Sequence, residues 1–381
     1  MKITSVETLI PDLGLPRPFV FVQVKTDEGL TGLGQTADLR TAGVIHDFAE
    51  RFLIGADPNH ISRLWYDIYD FAAYHGYAGA ESRALSAIDI ALWDLKGQAL
   101  GRPIADLLGG PVNDGVPTYN TCLAYGGVSD ADRAVTDPVG LAQELIDSGY
   151  SWMKVTSFDP YAEASRGQYI TPAEIDEAIA SIKQVADAFG GRFQVAIEAH
   201  GQWAAGPATE IIRALDGLPI RWVEDPLVQD NVAEWVRLRD RSTVPIAGGE
   251  RLQTRHQLAE MLRAGGVDVL ISDITWAGGI SEARRIAELA DVAGVSFASH
   301  GNSGPVNLWS AAHVLAVSRN ACAAEVVRVH LLEESGYYGQ LVDVRDVRQG
   351  GKLVAPTRPG LGFALPEGLP VLSRQVTDAA A

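Results

Sequence analysis

The sequence predicts an α/β protein in two parts: an N-terminal α+β unit over residues 1–115, then a closed parallel (β/α) barrel of the TIM type over residues 116–340. Three observations carry this expectation. At 381 residues the chain is longer than a usual single domain. Its first part reads as strands followed by helices, whereas from about residue 116 onward short apolar strands alternate with amphipathic helices. That alternation recurs eight times, which fits a closed barrel better than an open doubly wound sheet.

The elements follow in order. Ile3, Val6 and Thr8 belong to a β-prone run, and Phe19 to Lys25 (FVFVQVK) leads through the turn Thr26-Asp27-Glu28-Gly29 into a strand at Leu30 to Gly34. Helical patterns cover 41–54, 59–71 and 82–97; in the last, Leu85, Ile88, Ala91, Leu92 and Leu95 recur at helical spacings. Gly109-Gly110-Pro111 ends a further short helix. The expected barrel strands are 116–122, 152–156, 193–199, 221–224, 245–249, 269–273, 295–299 and 323–327. The tail, 341–381, with Pro359-Gly360-Leu361-Gly362, is too irregular for a ninth unit and is expected to pack back on the N-terminal part.

Composition narrows the function. The chain is 47% hydrophobic and 21% charged, as for a globular protein with a large core. It has no apolar run of about eighteen residues that would span a membrane, and its N-terminus lacks a signal peptide's apolar core. Cys122 and Cys322 cannot form a disulfide framework and lack metal-ligand spacing, so a cytoplasmic location is expected. A formal net charge of −17 argues against nucleic-acid or anionic-membrane partners. A small anionic substrate would therefore need local positive charge at its site.

The expected strands end on Lys154, Glu198, Glu224, Glu250, Asp273, His300 and Glu325. From Glu198 onward these recur about once per βα unit, given ~250 residues shared among eight units. Polar groups placed once per unit at strand C-termini converge on one barrel mouth, where catalytic groups of this architecture are found. Any one of these glutamates would read as a solvated loop charge. Three on adjacent strands would repel one another unless they shared a cation, and hard oxygen ligands suit Mg²⁺ or Mn²⁺. Lys154 could then help hold an anionic substrate. On adjacent strand ends Asp273 could accept one imidazole N–H of His300 and raise the basicity of the other nitrogen. A strand-end lysine could alternatively be a Schiff-base nucleophile, which would leave the glutamates without a role.

These residues resemble the enolase superfamily, and specifically its mandelate racemase-like branch. Lys154 in Met-Lys-Val-Thr resembles the lysine motif of the second barrel strand, and Glu198, Glu224 and Glu250 the metal ligands of the next three. Asp273 and His300 resemble the His–Asp dyad of the sixth and seventh strands, and Glu325 the eighth-strand acid that hydrogen-bonds the substrate carboxylate. Ser86 to Asp94 (SAIDIALWD) and Leu107-Leu108-Gly109-Gly110 extend the likeness over nearly the whole chain. The resemblance implies a modified TIM barrel with an N-terminal α+β capping domain completed by the tail, and a homo-oligomer. Cap loops near 12–19 and 36–43 would select the substrate, with Arg17, Asp38 and Arg40 as candidate groups.

Two departures shape the functional expectation. Where the branch often has a second lysine on the second strand, this chain has Thr156, which cannot act as a base opposing His300. Glu198 stands where an aspartate is usual, and His200 lies two residues on, facing the same side of the strand. That pair resembles the Asp-X-His arrangement of galactonate dehydratase-like acid-sugar dehydratases, in which the histidine is a general acid. A base, a metal and an acid suffice to remove water from a sugar acid, giving a 2-keto-3-deoxy acid. Cycloisomerisation or epimerisation of a related acid or lactone would use the same enolate, and a non-catalytic protein keeping the fold is a further alternative. Trp203 and Trp276 are candidate pocket walls. The loop 157–171 could carry Tyr161 or Arg166 to the substrate, and His75 could reach the site from the N-terminal part.

Overall fold

The computed structural model describes residues 1–15, 18–76 and 78–378; Arg17 lies outside them. Strands Ile3–Pro11, Val20–Thr26 and Thr31–Thr36 form an antiparallel meander, and Val371–Asp378 joins it as a fourth strand against the first. Strand alternation divides the sheet between two cores. Val22 and Val24 pack with Leu85, Ile88 and Leu92 of the helix Ala80–Leu100, whereas Phe19, Phe21 and Leu33 join the main core shared with the barrel.

The barrel closes with eight parallel strands: Val116–Thr121, Trp152–Val155, Gln194–Glu198, Ile220–Glu224, Ile246–Gly248, Val269–Ser272, Ser296–Ser299 and Ala321–Val326. The last pairs with the first. Large and small side chains alternate across its interior, with Tyr119, Trp152 and Trp222 set against Ala196, Ala247, Ala298 and Ala323. This packing fills the barrel below the mouth. The eighth strand departs from the repeat, since only the four-residue helix Arg328–Leu331 follows it. Tail residues Val347, Leu353 and Leu361 are buried in the main core instead. Among the described residues no helix is long and apolar enough to cross a membrane.

The helix Ala80–Leu100 carries a polar stripe that grips the segment after the sixth barrel strand. Ser86 Oγ accepts from Gly278 N–H at 2.8 Å, and Asp89 accepts from the N–H and hydroxyl of Ser281 at 2.9 and 2.6 Å. Trp65 donates its indole N–H to the Gly278 carbonyl at 2.8 Å. The SAIDIALWD segment thus presents Ala87, Ile88, Ala91 and Leu92 to the N-terminal core, and Ser86, Asp89 and Ile90 toward the barrel side.

A second joint runs through His313, buried in the helix Pro305–Ala316. Its Nδ1 accepts from Ala105 N–H at 3.2 Å, so Nε2 carries the proton and donates to the Leu361 carbonyl at 3.1 Å. Burial pushes its pKa down from 6.5 to about 4. Above the unfolded-state value both states are neutral; between there and pH 4 the unfolded chain gains a proton that the folded one refuses. This group therefore withdraws about 1.4 kcal/mol of stability per pH unit in that window, roughly 3 kcal/mol in all. Urea unfolding at pH 7 and pH 5 should show a shallower acid loss for His313→Gln than for the wild type. An equal loss in both would refute this assignment.

Candidate active site

Because the barrel strands are parallel, their C-terminal ends open on one mouth. Glu198 and Glu224 end their strands, Lys154 and Glu325 lie one residue before the ends of theirs, and Asp273 and His300 immediately follow theirs. Glu250 lies two residues beyond its strand, after Gly248-Gly249. Gly249 has φ 125°, and a Cβ there would stand 2.7 Å from the Ile271 carbonyl, so only glycine lets the chain turn Glu250 inward. A Cβ on Gly301 would meet the Glu325 carbonyl at 2.1 Å, so the segment after His300 lies directly on the eighth strand. His200 and Asp225 hold left-handed φ values of 49° and 43° just beyond two of the glutamates. Each costs about 1 kcal/mol or more, the kind of strain that concentrates at functional sites.

Glu198, Glu224 and Glu250 are buried, and one ligand atom from each lies within 4.8 Å of the others. Lys154 Nζ donates to Glu198 at 3.0 Å and Glu224 at 2.8 Å, and stands 3.1 Å from Glu325. Burial works against its charge, but the surrounding carboxylates outweigh burial and hold its pKa well above the usual lysine value. Its engagement by three carboxylates disfavours a Schiff-base role and suits a fixed positive charge beside the site. Burial first, then repulsion from neighbouring carboxylates, pushes Glu224 and Glu250 up, while Lys154 and His200 overcome burial to hold Glu198 down. Three converging carboxylates with excess negative charge are a donor set suited to a hard divalent cation. The longer Glu198 side chain is compatible with that convergence.

His300 and Asp273 form the expected pair, Nδ1 to Oδ2 at 2.6 Å. Asp273 also accepts from Ser303 Oγ at 2.6 Å, from Asn307 Nδ2 at 3.2 Å, and from the Thr275 N–H and hydroxyl at 2.7 and 2.6 Å. With both oxygens held by donors, Asp273 fixes the Nδ1–H tautomer of His300. The other nitrogen, Nε2, then faces Glu250 at 3.5 Å and Glu325 at 3.9 Å. Burial opposes a charged imidazole, yet Glu250, Glu325 and Asp273 together raise His300 to about 10. A cation shared by Glu250 would weaken the first of these attractions and favour the neutral imidazole that a base requires. Glu325 is held at about 2: burial opposes its charge, but Lys154, His300, the Thr121 hydroxyl and Gly301 N–H outweigh it. It is ionised here, and donating to a substrate carboxylate would require it to take up a proton.

His200 has a matching partner that the sequence did not reveal. Its Nδ1 lies 2.7 Å from Asp159 Oδ2, and its backbone N–H donates to Glu198 at 2.8 Å. Burial opposes protonation, but Asp159 and Glu198 raise its pKa. The loop 157–171 thus brings Asp159 to His200, whereas Tyr161 packs against the main core and Arg166 caps the short helix Asp159–Ser165. Trp276 stands at the mouth with its ring 4.8 Å from that of His300, while Trp203 is buried in the main core. His75 packs on Phe71, and Asp38 and Arg40 pair with each other at 2.9 Å.

Comparison with known proteins now places the chain. The profile of the mandelate racemase/muconate lactonizing enzyme N-terminal domain matches residues 15–109, and the enolase C-terminal domain-like profile matches 138–369. The chain belongs to the enolase superfamily. Similar members of this superfamily include a D-galactonate dehydratase of Verminephrobacter eiseniae, 33% identical over 98% of this chain and 94% of that one. The D-galactonate dehydratase of Variovorax paradoxus is 34% identical over 96% and 93%. Among solved structures, an enolase of the mandelate racemase subgroup from Agrobacterium tumefaciens superposes with a TM-score of 0.88 at 34% identity, covering 100% of this chain and 99% of that one.

Proposed function

We propose that this superfamily member is a Mg²⁺-dependent hydro-lyase, with Mn²⁺ able to substitute, that dehydrates a sugar acid to a 2-keto-3-deoxy acid. The observation that carries the reading is the pair of carboxylate-locked imidazoles, His300 adjoining Glu250 and His200 adjoining Glu198. One suits a base and the other an acid. The similarity to D-galactonate dehydratases supports the same class.

Glu198, Glu224 and Glu250 would hold the cation, which when bound supplies positive charge for the substrate carboxylate and the enolate that forms from it. His300 Nε2 takes the proton from the carbon next to the carboxylate, and Asp273 balances the resulting imidazolium through Nδ1–H. Lys154 keeps a fixed positive charge beside the carboxylate end, and Glu325 orients that lysine. His200 Nε2 gives its proton to the departing 3-hydroxyl, whose C–O bond breaks as the new C=C bond forms. Water leaves, and the enol tautomerises to the keto acid. With Thr156 just past the second strand, where the branch often has a second lysine, no second base opposes His300, which disfavours racemisation by two bases.

A screen of aldonates, uronates and aldarates with Mg²⁺, read colorimetrically for 2-keto-3-deoxy acids, tests the reading; no product from any acid would refute it. On the substrate found, His200→Asn is expected to slow elimination about 10²–10⁴-fold while α-hydrogen exchange with D₂O continues. Unimpaired elimination would remove His200 from the acid role, whereas α-hydrogen exchange without keto-acid product from any acid would favour cycloisomerisation or epimerisation through the same enolate.

A further inference from the structure

Arg83 lies in the first turn of the helix Ala80–Leu100, half-buried between the N-terminal domain and the barrel mouth. Arg255 and Arg285, also lodged between elements, pair with Glu282, and Arg328 with Asp130, whereas Arg221, at the far end of the barrel, stacks on Trp152 and Trp222 without a carboxylate. The Arg83 guanidinium makes no hydrogen bond or ion pair with any described residue. Its guanidinium lies 4.1 Å over the ring of Trp276, the same indole that touches His300. Ser82, its neighbour on the helix, donates to the Trp276 carbonyl and holds the two segments together.

Helix stability does not explain this placement, because a cation in the first turn adds to the positive end of the helix dipole. Desolvation disfavours the charge and pulls the Arg83 pKa down. The acids that act on it from a distance are Asp273, Asp38 and Glu250; Arg40 opposes them. Asp38 is engaged by Arg40, Asp273 by its own donors, and Glu250 by its place in the glutamate cluster. The indole face offsets part of the cost of a half-buried guanidinium, but it leaves the N–H donors of Arg83 unused and available to an anion at the mouth. Its planar fork matches a carboxylate through two parallel hydrogen bonds, which neutral hydroxyls satisfy less strongly. The Trp276 ring lies 4.1 Å from the Arg83 guanidinium and 4.8 Å from the His300 ring, so a single indole links Arg83 to the base.

We infer that Arg83 reads the far end of the substrate as a second carboxylate, so that the preferred substrate is a dicarboxylic sugar acid. The inference rests on the dehydratase reading and adds the residue that sets substrate class.

Three matched pairs test it: galactarate with galactonate, glucarate with gluconate, and mannarate with mannonate. The members of each pair differ only in whether the far carbon is a carboxylate. Calorimetric binding and turnover would be measured with Mg²⁺ for the wild type, Arg83→Lys and Arg83→Met. For at least one pair the wild type should favour the diacid by about 10-fold or more in kcat/KM, the worth of one charge-assisted pair. Arg83→Met should collapse that ratio toward unity, mainly through KM and weaker diacid binding, and Arg83→Lys should restore part of it. A wild-type preference for the monoacids, or equal losses on both members of a pair in Arg83→Met, would overturn the inference and leave the dehydratase reading standing. Absence of binding and of product with all six acids would also overturn the inference, and the dehydratase reading would then stand or fall on the wider panel.

Discussion

His300→Asn is expected to leave the fold intact and reduce product formation by at least about 10²–10⁴-fold, the usual contribution of a positioned general base. Asparagine can still offer an N–H toward Asp273, so the hydrogen bonds that Ser303, Thr275 and Asn307 make to that carboxylate need not break. What disappears is the second imidazole nitrogen, the one facing Glu250 and Glu325. The check is kinetic and structural together: initial rates of keto-acid formation beside a thermal melt. A normal melt with lost turnover is the expected pair. Turnover within a few-fold of wild type would show that another group removes the proton.

Glu250→Gln is expected to uncouple the protein from its cation. Adding Mg²⁺ to EDTA-treated wild type should raise the melting temperature, since a ligand that binds only the folded state stabilises it by about 2.7 kcal/mol at a hundred times its Kd. Glutamine keeps the size of the side chain but removes one of the three charges, so the Mg²⁺-induced shift should shrink to a small fraction and activity should fall with it. Among the three glutamates, Glu250 is the one without a hydrogen bond from Lys154, which anchors Glu198 and Glu224. Its replacement therefore tests cation binding with little disturbance of that network. An undiminished shift in the variant would move the cation elsewhere.

Much of this site was legible in the sequence because of how a barrel distributes polar groups. Glu198, Glu224, Glu250, Asp273 and His300 interrupt apolar strands at unit-length intervals, and only one tertiary arrangement gives such spacing a common meaning. Other features depended on loops and on contacts between distant segments. Asp159 sits before a proline at a helix start, where an acidic residue needs no further explanation, so its pairing with His200 could not be read. Arg83 lies within a helix whose apolar spacing dominates the pattern, which conceals the direction of one polar side chain. The donors that hold Asp273 come from positions 275, 303 and 307, whose approach depends on the loop path. The missing eighth helix was equally hidden: nothing in Ala321–Val326 says that only a four-residue helix follows, or that Leu353 and Leu361 of the tail are buried in the main core.

The measurement that bears most directly on the central claim is a proton NMR time course in D₂O on the sugar acid that gives product, run with Mg²⁺ and again with EDTA. The account predicts that the hydrogen next to the carboxylate disappears no more slowly than the 2-keto-3-deoxy acid forms, and that EDTA and His300→Asn each stop both processes. Product formed at an unchanged rate in EDTA, or undiminished proton loss in His300→Asn, would contradict it.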